Sequence, residues 1–265
     1  MTRVSAHPSQ LLTSAPETTG LFLDFDGTLS EIVHVPSEAR PVEGVKDVLS
    51  ALAERFGLVA IVSGRSAGQL LEWLGPTIEI WGVHGAERTI GGSVALTDRA
   101  APYEELMERV RDEAREGLLK LDLEGVILED KGVMLGLHFR AAADQQRARQ
   151  ELDRLADDLS RRHGLLRAGG RLAFELRPPV EFSKAAVVLE RSREVGLTAA
   201  AFVGDDRVDL PGFDALDVLE NEGVQTLRVA VTSDEAPKEL LERADVVVDG
   251  PVGALAFLRK LLPGE

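Results

Sequence analysis

Two aspartates, Asp24 and Asp26, lie two positions apart, directly after the apolar residues 21–23 and directly before a glycine–threonine pair. A buried parallel strand is a nearly continuous apolar run, so this pattern predicts that both acids lie at the carboxyl end of a strand, where open α/β sheets bind ligands. Two carboxylates this close repel each other and stay ionised at little cost only beside a cation or a bound partner. An acidic turn after a strand is a common alternative, but the position after a buried strand favours a chemical site.

A serine and a glycine, Ser63 and Gly64, follow a second apolar run at residues 58–62. A hydroxyl beside a glycine that exposes backbone N–H groups suits a phosphate oxygen. A serine before a helix is at least as commonly an N-cap, so both interpretations of Ser63 stand at this point.

Three aspartates, Asp205, Asp206 and Asp209, follow the apolar run at residues 199–203. A lysine, Lys184, lies at the start of a predicted helix. Together with Asp24, the acids form an oxygen-only donor set, which favours Mg²⁺. We assign Asp24, Asp205 and the main-chain carbonyl of Asp26 as metal ligands, with Asp209 or Asp206 behind them. Lys184 would offset negative charge in such a site, although a single lysine is far more commonly a solvated surface charge.

The composition limits the classes of function. The chain has 265 residues, a net charge of -15 and no cysteine. This charge argues against nucleic acid or an anionic membrane as the main partner, and an anionic substrate must be drawn by local positive groups and metal. The absence of cysteine fits a reducing compartment. Because no apolar run approaches the ~20 residues that span a bilayer and the N-terminal segment lacks a signal-peptide core, we expect a cytoplasmic protein.

The elements that must position these residues fall into two groups. Buried strands alternate with helices in both end parts of the chain, which predicts an α/β fold with a Rossmann-like, doubly wound parallel sheet. Residues 103–177 instead show the order helix, hairpin, helix, hairpin, which predicts an inserted α+β domain of the order αββαββ. We expect a catalytic core at residues 1–102 and 178–265 and a substrate-specificity cap at residues 103–177.

The string Asp24-Phe25-Asp26-Gly27-Thr28-Leu29 resembles the first motif of the haloacid-dehalogenase-like phosphatases, and Ser63, Lys184 and Gly204-Asp205-Asp206 match later motifs of that family in order. The resemblance implies that Asp24 is the nucleophile that attacks phosphorus and that Asp26 is the general acid and base. It also implies that Lys184 is catalytic and binds phosphate beside Ser63 and Gly64. A carboxylate nucleophile divides ester hydrolysis into two easier displacements through an aspartyl-phosphate, and the second acid moves the protons.

Within that superfamily, the predicted cap and several strings are similar to those of the trehalose-6-phosphate phosphatases. The strings are Val62-Ser63-Gly64-Arg65, His84-Gly85-Ala86-Glu87, Glu129-Asp130-Lys131-Gly132, His138-Phe139-Arg140 and Phe174-Glu175-Leu176-Arg177-Pro178. The resemblance implies Mg²⁺-dependent hydrolysis of trehalose 6-phosphate to trehalose and phosphate. It also implies a sugar phosphate as the small-molecule partner and a trehalose-6-phosphate synthase as a candidate protein partner.

The same resemblance implies a set of substrate contacts. A Glu-x-Lys pair in the family's cap and a later glutamate bind the distal sugar, and this carries over to Glu129, Lys131 and Glu175. Charged groups of this kind bind sugar hydroxyls through charge-assisted hydrogen bonds, whereas a charge on a hairpin is otherwise simply solvated. The further substrate contacts that we expect are Arg65, His84 and Arg140.

The motif that begins at Gly204 departs from this family. It reads Gly204-Asp205-Asp206-Arg207-Val208-Asp209-Leu210-Pro211-Gly212-Phe213 and lacks a threonine and two acids that the family usually carries there. The metal-position aspartates are present, so we expect activity, but the identity of the substrate stays open. The alternatives are a phosphatase for another sugar or glycosyl phosphate, such as sucrose phosphate or mannosyl-3-phosphoglycerate, and a non-catalytic homologue that binds a sugar phosphate.

Overall fold

The computed structural model describes residues 8–33, 38–169, 172–233 and 236–264. The chain forms two compact units: a core unit, residues 1–95 and 182–265, and an inserted unit, residues 96–181. The predicted boundaries at residues 103 and 177 lie a few residues inside the inserted unit. No helix in the described ranges is long and apolar enough to cross a membrane.

Strands and helices alternate along most of the core unit, and the described part of the inserted unit has the order αββαββ. The α-helices are α1 (Pro8–Thr13), α2 (Val45–Ala53), α3 (Ala67–Leu74), α4 (Glu104–Leu121), α5 (Gln145–His163), α6 (Lys184–Val195), α7 (Leu210–Asn221), α8 (Lys238–Arg243) and α9 (Gly250–Arg259). The strands are β1 (Thr19–Leu23), β2 (Leu58–Val62), β3 (Glu79–Gly82), β4 (Glu87–Ile90), β5 (Ser93–Leu96), β6 (Ile127–Asp130), β7 (Leu135–His138), β8 (Leu166–Gly169), β9 (Ala173–Arg177), β10 (Ala199–Gly204), β11 (Gln225–Thr232) and β12 (Val246–Asp249). The predicted element order of the insertion is confirmed.

The core sheet has the strand order β12-β11-β10-β1-β2-β3-β4-β5 within the described residues. β1 lies in the middle and pairs in parallel with β10 and with β2, so that Leu23 lies opposite Val203 on one side and Ile61 on the other. β4 runs antiparallel to β3 and extends the sheet beyond its parallel part. Because the three central strands are parallel, the segments that follow them leave the sheet at the same edge.

Strand β1 shows why the core sheet is buried on both faces. All five of its residues are buried, and successive side chains point to opposite faces. Leu21 and Leu23 pack in an apolar cluster with α2, α3 and α9, whereas Phe22 packs in a second cluster with α6 and α7. Helices therefore cover both faces, which confirms the doubly wound core. Because Phe22 is fully buried, its truncation to alanine would cost about 3–5 kcal/mol of stability.

The inserted unit is built on an antiparallel sheet with the order β6-β7-β9-β8. Asp130 of β6 forms an ion pair with Arg111 of α4 at 2.8 Å, so α4 lies on the face to which Asp130 points. Side chains alternate along a strand, so Glu129 points to the opposite face. The register aligns Glu129, Gly136 and Glu175 across three neighbouring strands. We call the face that these three residues share the polar face.

Candidate active site

The carboxyl ends of β1, β2 and β10 bring predicted site residues of the core unit to one edge of the sheet. Asp24 directly follows β1, and its backbone N–H donates to the carbonyl of Val203 in β10 at 2.9 Å. Ser63 follows β2, and Asp205 follows β10. These residues are far apart in the sequence, and their common position follows from the parallel pairing of the three strands.

A buried lysine joins two of the acids. Lys184 is the first residue of α6, and its Nζ lies 2.6 Å from Asp24 Oδ1 and 2.6 Å from Asp209 Oδ1. All three residues are buried. Burial acts to lower the pKa of Lys184, but the charges of Asp24 and Asp209 outweigh it and raise the pKa above its ordinary value. Lys184 is therefore a permanent cation in this site.

Asp209 uses both of its carboxylate oxygens within the protein. Oδ1 accepts a hydrogen bond from Lys184, and Oδ2 accepts from the backbone N–H groups of Asp205 (2.9 Å) and Asp206 (3.1 Å). Asp206 is exposed, and its side chain accepts from the Arg207 N–H at 2.6 Å. Asp209 thereby fixes the turn that carries Asp205. This role suits Asp209 as the residue that orients the other acids.

Asp205 is held against the turn that follows Asp26. Thr28 Oγ1 donates a hydrogen bond to Asp205 Oδ1 at 3.2 Å. Gly27 has a φ of +75°, and a Cβ at this position would lie 2.0 Å from Asp205 Oδ2. Both the backbone conformation and the carboxylate therefore exclude a side chain at position 27. This is the physical reason for the glycine–threonine pair after the two aspartates.

Three buried carboxylates could hold a metal ion, because oxygens of Asp24, Asp205 and Asp209 all lie within 4.8 Å of one another. Burial, reinforced by Asp209, raises the pKa of Asp24 well above its ordinary value of 3.8 and raises the pKa of Asp205 to about 7. Lys184 balances one of the three negative charges. A divalent cation would balance the other two, so the charge of the cluster fits a metal ion as well as its donor atoms do.

Ser63 and Gly64 lie beside His84. The carbonyl of Ser63 accepts a hydrogen bond from the His84 N–H at 2.9 Å, and a Cβ on Gly64 would lie 2.9 Å from the imidazole. The Ser63 hydroxyl accepts from the Arg65 N–H at 3.2 Å, and the N-cap of α3 is Ser66. The N-cap interpretation therefore does not apply to Ser63.

The backbone next to this loop is strained. Val83 and His84 have φ values of +49° and +57°, in the left-handed region that is unfavourable for a β-branched residue such as valine. The Val83 N–H donates to the Arg65 carbonyl at 2.8 Å, which holds the strained turn against the loop at Ser63. Strain of this kind is commonly stored at functional sites. Here it sets the His84 side chain against Gly64.

Asp26 pairs with Arg65. Arg65 Nε donates to Asp26 Oδ2 (2.8 Å) and Oδ1 (3.0 Å), and Nη2 donates to Asp26 Oδ1 at 2.7 Å. The Asp26 side chain is 42% exposed and the Arg65 side chain is 11% exposed. The sequence predicts Arg65 as a substrate contact and does not predict this pairing, since no local pattern links residues that are 39 positions apart.

In the inserted unit, Glu129 forms a cluster with Lys131 and His138. Glu129 Oε2 lies 2.8 Å from His138 Nε2 and 3.3 Å from Lys131 Nζ. The hydrogen bond with His138 is the largest cause that lowers the pKa of Glu129 below its ordinary value of 4.5. A Cβ on Gly136 would lie 2.7 Å from the His138 imidazole. No role was predicted for His138, although its spacing of two from Gly136 is a signal that places it on the polar face.

Arg140 differs from the other predicted sugar contacts. It is exposed in the turn that follows β7. Its carbonyl accepts a hydrogen bond from Gln145 Nε2, at the start of α5, at 2.8 Å. The structure therefore fixes the backbone at this position, while the side chain lies at the surface.

The fold defines the class of protein. The structure matches a haloacid dehalogenase-like hydrolase from Bacteroides thetaiotaomicron with a TM-score of 0.61 at 15% identity, over 92% of this chain and 99% of that chain. It also matches the C-terminal domain of Candida albicans trehalose-6-phosphate phosphatase with a TM-score of 0.68 at 22% identity, over 97% of this chain and 96% of that chain. The chain thus has the haloacid-dehalogenase-like fold.

The family follows from the sequence. The family model of the trehalose-phosphatases matches residues 22–246, and the chain belongs to this family. The trehalose-phosphate phosphatase of Mycolicibacterium paratuberculosis is 34% identical over 251 residues, which is 91% of this chain. That of Mycobacterium avium is 34% identical over 250 residues. This chain spans 61% of the length of each of these two relatives.

Proposed function

We propose that this chain is a Mg²⁺-dependent phosphatase that hydrolyses trehalose 6-phosphate to trehalose and phosphate through an aspartyl-phosphate. The observation that carries the proposal is the buried ion pair between Asp24 and Lys184 at the end of the central strand. It places a carboxylate beside a permanent cation, as a nucleophile for an anionic ester requires. The family of the chain and the names of its relatives support trehalose 6-phosphate as the substrate.

Asp24 is the proposed nucleophile. One of its carboxylate oxygens attacks phosphorus, the bond between phosphorus and the sugar oxygen breaks, and an aspartyl-phosphate forms. Lys184 offsets the charge on the phosphoryl oxygens, and the Ser63 hydroxyl and the Gly64 N–H bind those oxygens. Water then attacks phosphorus, the bond to Asp24 breaks, and phosphate leaves.

Asp26 is the proposed general acid and base. It gives a proton to the sugar oxygen as the ester bond breaks, and it takes a proton from the attacking water in the second step. Its place two residues after Asp24 and its partial exposure support access to both the leaving group and water.

Mg²⁺ is the proposed cofactor. Asp24, Asp205 and the main-chain carbonyl of Asp26 would hold the ion, Asp209 would orient these ligands, and the bound ion would neutralise charge on the phosphoryl group. The buried, oxygen-only donor set of the acids supports this choice over a transition metal.

Glu129, Lys131 and Glu175 are proposed to bind the sugar. The polar face presents both glutamates on one side of the inserted sheet, and each can accept hydrogen bonds from sugar hydroxyls. His84 and Arg140 are further proposed substrate contacts. The imidazole beside Gly64 supports the first, and the exposed guanidinium supports the second.

The experiment that tests the function is a phosphate-release panel. Purified chain would be assayed on trehalose 6-phosphate, sucrose 6-phosphate, mannosyl-3-phosphoglycerate and p-nitrophenyl phosphate, in Mg²⁺, in EDTA, and in EDTA followed by excess Mg²⁺. We expect the highest kcat/KM on trehalose 6-phosphate, no turnover in EDTA, and recovery with Mg²⁺. A higher kcat/KM on another sugar phosphate would make that compound the proposed substrate in place of trehalose 6-phosphate. Binding without turnover on the whole panel would indicate a non-catalytic homologue.

A cytoplasmic location and a trehalose-6-phosphate synthase partner complete the proposal. The absence of cysteine supports a reducing compartment, and a synthase is the enzyme class that forms the phosphorylated disaccharide. Fractionation of the source cells tests the location, and co-purification with a tagged chain tests the partner. A secreted chain would contradict the proposed location. A tagged chain that purifies without any synthase would contradict the proposed partner.

A further inference from the structure

The guanidinium of Arg65 is held by several groups of the core unit. Its central carbon lies over the rings of Phe25 and Trp73, 5.7 Å and 5.2 Å from their centroids. Nη1 donates to Gln69 Oε1 at 3.1 Å, while Nε and Nη2 hold both oxygens of Asp26. Gln69 and Trp73 are four residues apart on α3 and therefore share one helix face. The helix, the aromatic rings and the arginine together form a rigid holder for one carboxylate.

We infer that Arg65 is a positioning residue that sets the Asp26 carboxylate for proton transfer, an inference that rests on the proposed function. The Asp26 side chain is 42% exposed, and the hydrogen bonds described for its carboxylate come from Arg65. Without them, its carboxylate would sample several rotamers. General acid catalysis requires the proton to lie within hydrogen-bond reach of the leaving oxygen, so loss of the fixed rotamer removes most of its effect.

The planar guanidinium explains why an arginine suits position 65. A guanidinium is planar and offers N–H groups that match the two oxygens of a carboxylate, and the same plane stacks on aromatic rings. A lysine in this place keeps the charge but offers neither the two-point contact nor the stacking plane. The geometry therefore predicts that Arg65→Lys is not a conservative change.

The proton balance of the reaction tells how to detect a positioning role. When the bond between phosphorus and a sugar oxygen breaks, the electron pair goes to an alkoxide oxygen, which needs the proton from Asp26. When p-nitrophenyl phosphate reacts, the electron pair goes to p-nitrophenolate, a stable anion that leaves without a proton. A residue that acts through Asp26 in this step therefore affects the sugar phosphate far more than the aryl phosphate. A residue that contacts the phosphate itself affects both substrates equally. A residue that contacts the sugar would also cause a selective loss, and the double mutant of Arg65 and Asp26 separates that case.

The experiment measures kcat/KM of full-length wild type, Arg65→Met, Arg65→Lys and Asp26→Asn on trehalose 6-phosphate and on p-nitrophenyl phosphate. This constant reports only steps up to the release of the alcohol. We expect Arg65→Met to lose about 10- to 100-fold on the sugar phosphate but no more than about threefold on the aryl phosphate. Arg65→Lys should recover only part of the loss. Arg65→Met keeps an unbranched apolar side chain at this position, and retained aryl phosphatase activity shows that the variant is folded.

Arg243 provides a matched control. It also lies over an aromatic ring, with its central carbon 6.0 Å from the Phe213 centroid, and it also pairs with aspartates, Asp214 and Asp217. It belongs to α8, which supplies none of the proposed site residues. Arg243→Met should leave the ratio of the two kcat/KM values unchanged.

A double mutant separates action through Asp26 from direct contact with substrate. If Arg65 acts through Asp26, adding Arg65→Met to Asp26→Asn causes little further loss. Additive losses, equal losses on both substrates, or an Asp26 carboxylate that keeps its ordered rotamer in a crystal structure of Arg65→Met would overturn the inference. A different result would contradict the proposed function, namely a wild-type chain that hydrolyses no sugar phosphate. If the panel shows another preferred sugar phosphate, that alkyl ester replaces trehalose 6-phosphate in the same comparison.

Discussion

The acids of the core unit and the acids of the inserted unit are held in different ways. Asp24, Asp205 and Asp209 are 5%, 3% and 0% exposed, and they follow strand ends or lie in the turn after one. Glu129 and Glu175 lie within strands of an antiparallel sheet, and each is only partly buried. Burial raises the pKa of Asp24 and Asp205, whereas the hydrogen bond with His138 lowers the pKa of Glu129.

The difference assigns different tasks to the two sets. Buried acids beside Lys184 are costly when charged, and a bound metal ion would relieve this cost. They therefore suit the chemistry of the phosphoryl group, which is common to every phosphate ester. A half-buried glutamate such as Glu129, whose pKa is lowered, suits hydrogen bonds to uncharged hydroxyls. We therefore expect changes in the core acids to affect all substrates, and changes on the polar face to affect only substrates with a sugar.

The largest effect is expected for Asp24→Asn. The amide cannot form an acyl-phosphate and binds Mg²⁺ poorly, so kcat should fall by about 10⁴-fold or more on both trehalose 6-phosphate and p-nitrophenyl phosphate. Circular dichroism should show an intact fold. Mass spectrometry of acid-quenched wild type should place the phosphoryl group on Asp24, and its discovery on any other residue would refute the assignment.

Lys184→Met should give the next largest effect. The change removes the cation between Asp24 and Asp209, so kcat should fall by about 10²–10³-fold on both substrates. Two buried carboxylates then lack their partner, which should cost about 3–5 kcal/mol of stability. Lys131→Met is the matched control in the inserted unit. Lys131 is 26% exposed and its partner Glu129 is 39% exposed, so this ion pair contributes less than the fully buried one. If both variants reduce activity on p-nitrophenyl phosphate equally, the proposed separation of tasks is wrong.

The strand-end acids could be predicted from the sequence because topology fixes their positions. Apolar runs mark the strands that precede Asp24, Ser63 and Asp205, and parallel pairing brings strand ends together whatever the side chains do. The partner of Asp26 could not be predicted, because its contact with Arg65 depends on the rotamers of two side chains and on the stacking of Trp73. Tertiary packing of this kind leaves no period in the sequence.

The same limit applies to the polar face. The hairpin order of the insertion could be predicted from alternating patterns and glycine turns, and the resemblance pointed to Glu129 and Glu175. The register that aligns both with Gly136 depends on pairing between β7 and β9, which are separated in the chain by α5 and β8. The contact of Glu129 with His138 follows from this fold and not from local propensity.

Glu129→Ala and Glu175→Ala should have a smaller and selective effect. Loss of one hydrogen bond with a charged group costs about 1.5–3 kcal/mol, so kcat/KM on trehalose 6-phosphate should fall by roughly 10- to 150-fold. Activity on p-nitrophenyl phosphate should stay within about twofold of wild type, since that ester has no sugar. Glu108→Ala, at an exposed site of α4, is the control and should change neither. Equal losses on both substrates would mean that the glutamates support the fold and not the sugar.

The smallest effect, on stability in EDTA, has opposite signs in the two units. The pKa of Asp205 is about 7 in the folded chain against 3.8 ordinarily, so as pH rises from about 4 to 7 the unfolded chain loses this proton first and stability falls. Asp205→Asn should therefore raise Tm at pH 8 by about 2–6 °C, with no gain near pH 4.

Glu129 has the opposite effect on stability. Its pKa is lowered in the folded chain, so it contributes stability above its ordinary pKa, and this stability is lost as pH falls through the folded pKa. Glu129→Gln should thus lower Tm slightly at pH 8, by less than a buried pair would because the side chain is 39% exposed.

Mg²⁺ sharpens this last comparison. The ion competes with protons for the core acids, so it should raise the Tm of wild type more at pH 8 than at pH 5, and Asp205→Asn should lose most of that gain. Glu129→Gln should keep the full gain, because Glu129 is not among the proposed ligands. Differential scanning fluorimetry of wild type and both variants measures Tm at pH 5 and pH 8, each in EDTA and in Mg²⁺. A lower Tm for Asp205→Asn in EDTA at pH 8 would show that the folded chain stabilises the Asp205 carboxylate without a metal, and the charge imbalance that supports the metal site would then not exist.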